Sequence, residues 1–365
     1  MGACVSSSST EVWSDEEVTR VEGPYSSTDK TNKTGFEEAR STISRKAPRP
    51  EQVLLLGTGD SGKSTILKQM RLYIHHQPFT RYEIESFRQL ILCNVVTGMC
   101  TILEAMVTVG LSVSPEKLQY IANVFCANSR GELPPAWLIE PLRALWNDRG
   151  VQEVLERGDE VSIPDNLPYF FSRLDALFDP GYDPSVEDIL HSHSRTLGLY
   201  KTTLDGLTLV DTGGQRPERK KWRHCFGPNV TTIVFVVSLS GYDQSLLEDT
   251  TKNQMADAMD LWSVLCAYFK NTYVSMILVF NKNDLFEEKV KRSGIGNFFP
   301  DFDGELGDAE AGRAYFKRRF VELAGDFVNR TLDETRPHGQ LYVWLQRWLC
   351  NTSRFRPTKN PMFRH

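Results

Sequence analysis

The chain has little of what would mark several common functions. Its seven cysteines (Cys4, Cys93, Cys100, Cys126, Cys225, Cys266, Cys350) are odd in number, scattered, and include no C-x-x-C, which argues against both a disulfide framework and a zinc site. Basic charge is not in excess either. Lys and Arg total 42 against 47 Asp and Glu, a net charge of -5, so no electrostatic footprint points to nucleic acid. The longest apolar runs, Thr232 to Leu239 and Val274 to Phe280, have the length of strands and are far too short to span a bilayer. The start of the chain lacks the apolar core of a signal peptide. What these absences leave is a globular cytosolic protein. With 365 residues and 40% hydrophobic content, it has enough chain and enough apolar surface for two domains.

What the sequence does have is Gly57-Thr58-Gly59-Asp60-Ser61-Gly62-Lys63-Ser64-Thr65, set between the apolar run Val53-Leu54-Leu55-Leu56 and Ile66-Leu67-Lys68-Gln69-Met70. The order is strand, glycine-rich loop, helix, and the spacing is G-x-x-x-x-G-K-[ST]. Glycines let the backbone curl so that successive N-H groups and the helix N-terminus face a phosphate chain. Lys63 would reach the terminal phosphates and the Ser64 hydroxyl would ligate Mg2+. The plainer alternative, a strand, a tight turn and a helix cap, is weakened because strand and helix lie where the chemistry needs them.

Ahead of this loop, Met1-Gly2-Ala3-Cys4-Val5-Ser6 fits the myristoylation pattern M-G-x-x-x-[ST], with Gly2 as the acceptor and Cys4 beside it as a palmitate site. Two lipid chains would anchor stably; the alternative is an ordinary flexible N-terminus. Residues 7 to 50 are rich in Ser, Thr and charge and read as mostly disordered, with a short helix at Phe36 to Arg45 as the exception. Between Gln77 and Asp188 the chain reads as helices. Tyr82 to Gly110 puts Phe87, Leu90, Ile91, Met99, Ile102, Leu103 and Met106 on one face. Ser114-Pro115-Glu116 reads as the cap and first turn of a helix through Phe125. Leu142 to Trp146, Val151 to Leu155 and Tyr169 to Leu177 read as shorter helices, and the segment as a helical domain that covers something.

In the second half, Leu207-Thr208-Leu209-Val210 reads as a strand ending in Asp211-Thr212-Gly213-Gly214-Gln215. An aspartate there holds a Mg2+ water, a glycine offers its N-H to a γ-phosphate, and a glutamine orients a water for attack; each residue alone would be a turn. Thr231 to Leu239 and Val274 to Phe280 are further strands, the last running into Asn281-Lys282-Asn283-Asp284. A carboxylate such as Asp284 accepts two hydrogen bonds from guanine that adenine cannot supply.

In this order the motifs resemble the α subunits of heterotrimeric G proteins, from about Val53 to about Val328. The likeness includes the helical insertion that small GTPases lack, and the run Gly214-Gln215-Arg216-Pro217-Glu218-Arg219-Lys220-Lys221-Trp222 followed by His224-Cys225-Phe226. Tyr242-Asp243-Gln244, Phe269-Lys270-Asn271-Thr272 and Asp284-Leu285-Phe286 extend it. The resemblance implies an α/β fold: a P-loop GTPase domain with a mostly parallel sheet (residues 51-74 and 188-345), interrupted by an inserted all-helical domain (75-187). A lipidated, mostly flexible segment would precede it (1-50) and an atypical tail follow it (346-365). It further implies GTP and GDP as ligands, Mg2+ held by Ser64 and Thr196, and nucleotide contacts that take in Leu190, Thr196, Asn281, Lys282 and Asp284. Its implied partners are a βγ dimer, a downstream effector and a membrane receptor, at the cytoplasmic face of the plasma membrane.

Two stretches depart from the family. Aligning Thr196-x-Gly198 puts His193 where the family carries its catalytic arginine, so GTP hydrolysis with Gln215, Lys63 and His193 is expected to be impaired. Histidine has no fork and is only partly charged near neutral pH. Arg195 bending in as a substitute, and His191 with His193 as a metal pair, are weaker alternatives to a solvated charge and an ordinary loop. At the end, Leu341 to Leu345 reads as a strand, but no T-C-A-[TV]-like loop follows, and Phe355-Arg356-Pro357 and Asn360-Pro361 forbid a regular terminal helix. Receptor coupling is therefore in doubt. The expectation is a slow GTPase switch. Its rivals are a hydrolysis-impaired scaffold or βγ sink and, disfavoured by Asp284, an ATP-dependent enzyme.

Overall fold

The computed structural model describes residues 51-74, 78-130, 133-157, 163-204, 206-246, 249-325 and 341-345. The sequence readings at Gly2, Cys4, Phe36 to Arg45 and the tail 346-365 fall outside these residues.

The described residues open with β1 (Gln52–Gly57) and α1 (Lys63–Gln69), continued by one wider helical turn, Met70–Ile74. Among the described residues, eight α-helices precede the next strand. After α1 come α2 (Arg81–Thr108), α3 (Leu118–Arg130), α4 (Ile139–Trp146), α5 (Arg149–Glu156), α6 (Leu167–Ser172), α7 (Leu174–Leu177) and α8 (Val186–His191). The remainder alternates: β2 (Leu199–Leu204), β3 (Leu207–Thr212), α9 (Arg216–Arg219), β4 (Val230–Ser238), the short pair β5 (Ser245–Leu246) and β6 (Asp249–Asn253), α10 (Gln254–Phe269), β7 (Ser275–Asn281), α11 (Asn283–Lys289), α12 (Ala309–Ala324) and β8 (Leu341–Leu345).

Six strands form one sheet in the order β2-β3-β1-β4-β7-β8. All neighbours are parallel except β2, which runs antiparallel to β3 at the edge. The central strands are almost continuous runs of Val, Ile, Leu and Phe because helices cover both faces. Leu54, Leu56, Val210, Ile233, Phe235, Val237 and Leu278 lie in one core with Trp262 of α10 and Phe316 and Phe320 of α12. Trp262 buries its indole completely and satisfies its N-H by donating to the Phe320 carbonyl at 2.8 Å.

The helices from α2 to α7 pack around a second core of their own, centred on Ile91, Val95, Met99, Ile102, Leu103, Leu142, Leu145, Val151, Phe170 and Leu177. α2 is long and apolar enough to cross a membrane by length and composition, but most of its apolar stretch is buried inside the protein. It starts with a full capping box: Thr80 accepts from the Glu83 N-H, and Glu83 accepts from the Thr80 N-H at 2.7 Å.

Several boundaries differ from the sequence reading. Ser114 makes no side-chain cap; a 3-10 turn at Pro115–Lys117 precedes α3, which runs on to Arg130 rather than stopping at Phe125. The helix expected over Tyr169 to Leu177 starts at Leu167 and breaks at Arg173. The boundary placed at 187/188 falls inside α8, where the Ser185 side chain and Asp188 form a second capping box. β2, α10 and α12 were not foreseen at all. α10 buries Met255, Met259, Trp262, Cys266 and Phe269 in the core it shares with the sheet and α12, and leaves Val264 and Tyr268 exposed.

Candidate functional site

The glycine-rich loop leaves β1 at the centre of the sheet, and its glycines are there for stated reasons. Gly57 has φ 144°, and a Cβ on it would sit 2.2 Å from the Val236 carbonyl oxygen of β4. Gly62 has φ 93°, and a Cβ there would lie 2.2 Å from the Asn281 side-chain nitrogen. That nitrogen donates to the Ser61 carbonyl at 2.8 Å, so the N-K-x-D stretch at the end of β7 holds the phosphate loop directly. Sequence reasoning gave Asn281 to the base; its observed contact is with the loop.

Lys63 opens α1, is buried, and donates from Nζ to the Thr58 carbonyl at 2.6 Å and the Ser61 Oγ at 3.2 Å. Burial lowers its pKa to about 8, with Asp211 and Asp60 opposing the shift. Ser64, the next residue, meets two others expected at the metal. Its Oγ lies 2.9 Å from Thr196 Oγ1 and donates to Asp211 Oδ2 at 2.5 Å. Burial raises the Asp211 pKa, only partly countered by Ser64 and Lys63, and its Oδ1 is buried with no hydrogen-bond partner.

Mg2+ takes hard oxygen ligands, uses one or two protein groups beside substrate phosphates, and keeps several waters. Two hydroxyls and a carboxylate with an orphaned buried oxygen fit that ion. Among the described residues no group of three or more His, Cys, Asp and Glu is placed to hold a metal, so His191 and His193 do not form such a site. His191 instead stacks on Tyr169 with centroids 3.7 Å apart, and burial lowers its pKa to about 4.

Gln215 lies over the loop, buried, with Oε1 unpartnered; a Cβ on Gly59 would come 2.9 Å from its Cγ. The segment beyond it is tied down. Arg219 donates to the Gly214 carbonyl at 2.8 Å and forks onto Asp257 of α10, which Arg216 also reaches at 3.0 Å. The Trp222 indole donates to the Gly213 carbonyl at 2.8 Å.

One cleft is lined by Gly59, Asp60, Gly62, Lys63, Ser64 and Thr65 of the loop, by Leu190, His193, Arg195 and Thr196, and by Gly214, Gln215, Asn281 and Lys282. Its other wall comes from the helical side: Thr101, Ile163, Pro164, Asp165 and Asn166. Of the sequence-derived site residues, Gly57, Thr58, Ser61, Asp211 and Gly213 are not part of this lining. Neither is Asp284. Its Oδ1 accepts from the Leu285 N-H at 3.0 Å in the first turn of α11. His193 does not point freely into the cleft, since its Nε2 pairs with Asp60 Oδ1 at 2.5 Å. Burial pushes the Asp60 pKa up, but His193, Lys282 and Lys63 together hold it well below the usual carboxylate range. Arg195 is exposed at the cleft rim.

Sequence reasoning missed the residues that join the two walls. Asp165 accepts an ion pair from Lys282 at 2.8 Å, Asn166 donates to the His191 carbonyl at 2.9 Å, and Lys68 donates to the Ile189 and Ser192 carbonyls at 3.0 and 3.2 Å. Each partner lies far away in the chain, so no local spacing announces it.

Residues 27–345 match the family of G-protein alpha subunits. This chain belongs to that family. The match reaches past both ends of the likeness read from the motifs, through β8. The guanine nucleotide-binding protein alpha-2 subunit of Mycosarcoma maydis is 45% identical over 284 residues, 75% of this chain and 79% of the relative. A guanine nucleotide-binding protein subunit alpha of Cryphonectria parasitica is 41% identical over 308 residues, 82% of this chain and 86% of the relative. One of Sporothrix schenckii is 43% identical over 279 residues, 74% and 78%. A guanine nucleotide-binding alpha subunit of signal transduction, in a family of GTPases, is thus the class of this protein.

Proposed function

We propose that the chain is a slow GTP/GDP switch: it binds GTP with Mg2+, hydrolyses it weakly, and passes a signal to a βγ partner and a downstream effector. The observation that carries this is the meeting of Ser64, Thr196 and Asp211 beside Lys63 and Gln215, brought from three separate stretches to the end of β1. In the hydrolytic step Lys63 and the loop N-H groups hold the phosphates, and the Gln215 amide orients the attacking water. Bound Mg2+, held by Ser64 and Thr196, supplies charge neutralisation at the phosphates. Chelating the metal from the GTP-loaded protein is expected to lower hydrolysis at least about 100-fold, read as phosphate release with and without EDTA.

The weakness of hydrolysis rests on His193. An arginine finger is worth about 10³ to 10⁵ in rate, roughly 4 to 7 kcal/mol, a general figure for this chemistry. The His193 imidazole is engaged with the Asp60 carboxylate and offers no fork. The test is nucleotide exchange followed by single-turnover GTP hydrolysis, on the parent and on His193→Arg. The variant is expected to hydrolyse about 10³-fold faster with unchanged GTP binding. Equal rates would remove the impairment reading, and failure of either protein to retain GTP would remove the switch.

The His193–Asp60 pair favours a second reading, in which the protein holds GTP and acts as a constitutive scaffold or βγ sink uncoupled from receptors. Membrane attachment through Gly2 and Cys4 at the cytoplasmic face of the plasma membrane belongs to the same proposal. Metabolic labelling with a myristate analogue, compared with Gly2→Ala, decides it.

A further inference from the structure

The main chain that leaves α8 and carries His193 and Thr196 into the cleft is held at successive carbonyls. Lys68 takes Ile189 and Ser192, and Asn166 takes His191. The last hold before Thr196 is of another kind. Asn94, in the middle of α2, donates from Nδ2 to the His193 carbonyl at 2.8 Å and accepts the His193 N-H on Oδ1 at 2.8 Å. One carboxamide thus satisfies both main-chain groups of one residue, as a neighbouring strand would. Beyond it, His193, Ser194, Arg195 and Leu197 are exposed, and the main chain is next fixed at Gly198, whose N-H donates to Glu218 at 2.7 Å. Thr196 sits between these two anchors with its hydroxyl on Ser64.

We propose that Asn94 is a positioning residue for the metal side of the cleft: from the helical layer it fixes the main chain at His193 and thereby where Thr196 meets Ser64. The proposal rests on the GTP and Mg2+ reading for its consequence, but not for the tether itself. Asn94 is not part of the cleft lining, and acts through the His193 backbone it grips. Losing the clamp frees the segment to sample positions in which Thr196 is away from Ser64. Occupancy of the metal site then needs more Mg2+, while the chemistry at saturating Mg2+ stays as it was.

The variants are Asn94→Ala, which removes both hydrogen bonds, and Asn94→Asp, which keeps the acceptor for the N-H but turns a carboxylate oxygen onto the His193 carbonyl. Two measurements are made on the full chain. Amide hydrogen exchange over residues 193-198 needs no nucleotide, and the Mg2+ titration of single-turnover GTP hydrolysis gives a half-saturating concentration and a maximal rate. Two ordinary hydrogen bonds correspond to about tenfold. In Asn94→Ala, exchange at His193 is therefore expected to quicken about tenfold and the half-saturating Mg2+ to rise about tenfold; Asn94→Asp, which keeps the acceptor for the N-H, is expected to shift both in the same direction by less, and both variants to keep the maximal rate within about twofold of the parent. A merely structural role would instead lower the maximal rate and the melting temperature together and leave the Mg2+ midpoint in place, and that result overturns the proposal. So does unchanged exchange in a folded variant. If neither variant folds, the parent decides: a His193 amide exchanging as fast as an unstructured peptide refutes the clamp, and a protected one supports it. A parent that fails to bind GTP sinks the functional reading, while the exchange comparison still tests the tether.

Discussion

Lys63→Ala is expected to weaken GTP binding by about 10² to 10³-fold, the cost of removing one partner from a buried charge-assisted contact. Lys63 is buried at the head of α1, with its ammonium directed back along the loop to the Thr58 carbonyl and the Ser61 hydroxyl. Burial brings its pKa down to about 8 from 10.5, against the opposing pull of Asp211 and Asp60. The sign of the pH dependence follows. Between those two values the unfolded chain binds more protons than the empty folded protein, so raising the pH through that window stabilises the empty fold. Polyphosphate binding runs the other way, because it requires the protonated lysine. Affinity is expected to fall above pH 8 by up to about tenfold per pH unit in the parent. The fall is expected to be absent in Lys63→Ala. Equilibrium binding of a fluorescent non-hydrolysable GTP analogue from pH 7 to 9, on both proteins, measures the affinity and its slope; a parent slope matched by the variant would assign the titration elsewhere.

Gly214→Ala is expected to lower hydrolysis about 100-fold and to cost about 1 to 3 kcal/mol in stability. A Cβ at Gly214 would stand 2.4 Å from Lys63 Nζ, 2.4 Å from the Thr58 carbonyl oxygen and 2.5 Å from the Gly57 carbonyl oxygen. Two of the three are backbone atoms of the phosphate loop, so the clash is not relieved by turning a side chain. Either the loop or the segment bearing Gln215 must move, and a displacement of about 1 Å is enough to cost a factor of about 10² in a positioned reaction. Gly227→Ala is the matched comparison, since nothing lies within 4 Å of a Cβ there. Single-turnover hydrolysis and thermal unfolding on both variants test this. Parent-like hydrolysis in Gly214→Ala would mean that the segment after β3 is far more pliant than its ties to Asp257 and Trp222 imply.

The chemistry-bearing residues were legible because each sits in a local pattern dictated by its own backbone. A loop that turns with glycines at positive φ and opens a helix onto phosphates reads G-x-x-x-x-G-K-[ST], the glycines for the backbone and Lys63 and Ser64 for the ligand chemistry, and strands buried on both faces read as apolar runs, here followed by Asp211 and Asn281. From these, the sequence by itself determined the class of fold, the presence of a helical layer, the family resemblance and the set Lys63, Ser64, Asp211 and Gln215, while Thr196 came only through the resemblance. It left open how these residues meet. Only the tertiary structure decided that Asn281 holds the phosphate loop, that Asp284 stands outside the cleft lining, that His193 pairs with Asp60, and that Asn94, Lys68, Asp165 and Asn166 join the two walls. The reason is physical. Spacing along a chain fixes which residues share a helix face or a turn, whereas a hydrogen bond such as that of Asn94 spans 99 positions and exists only once two separately built cores have packed together.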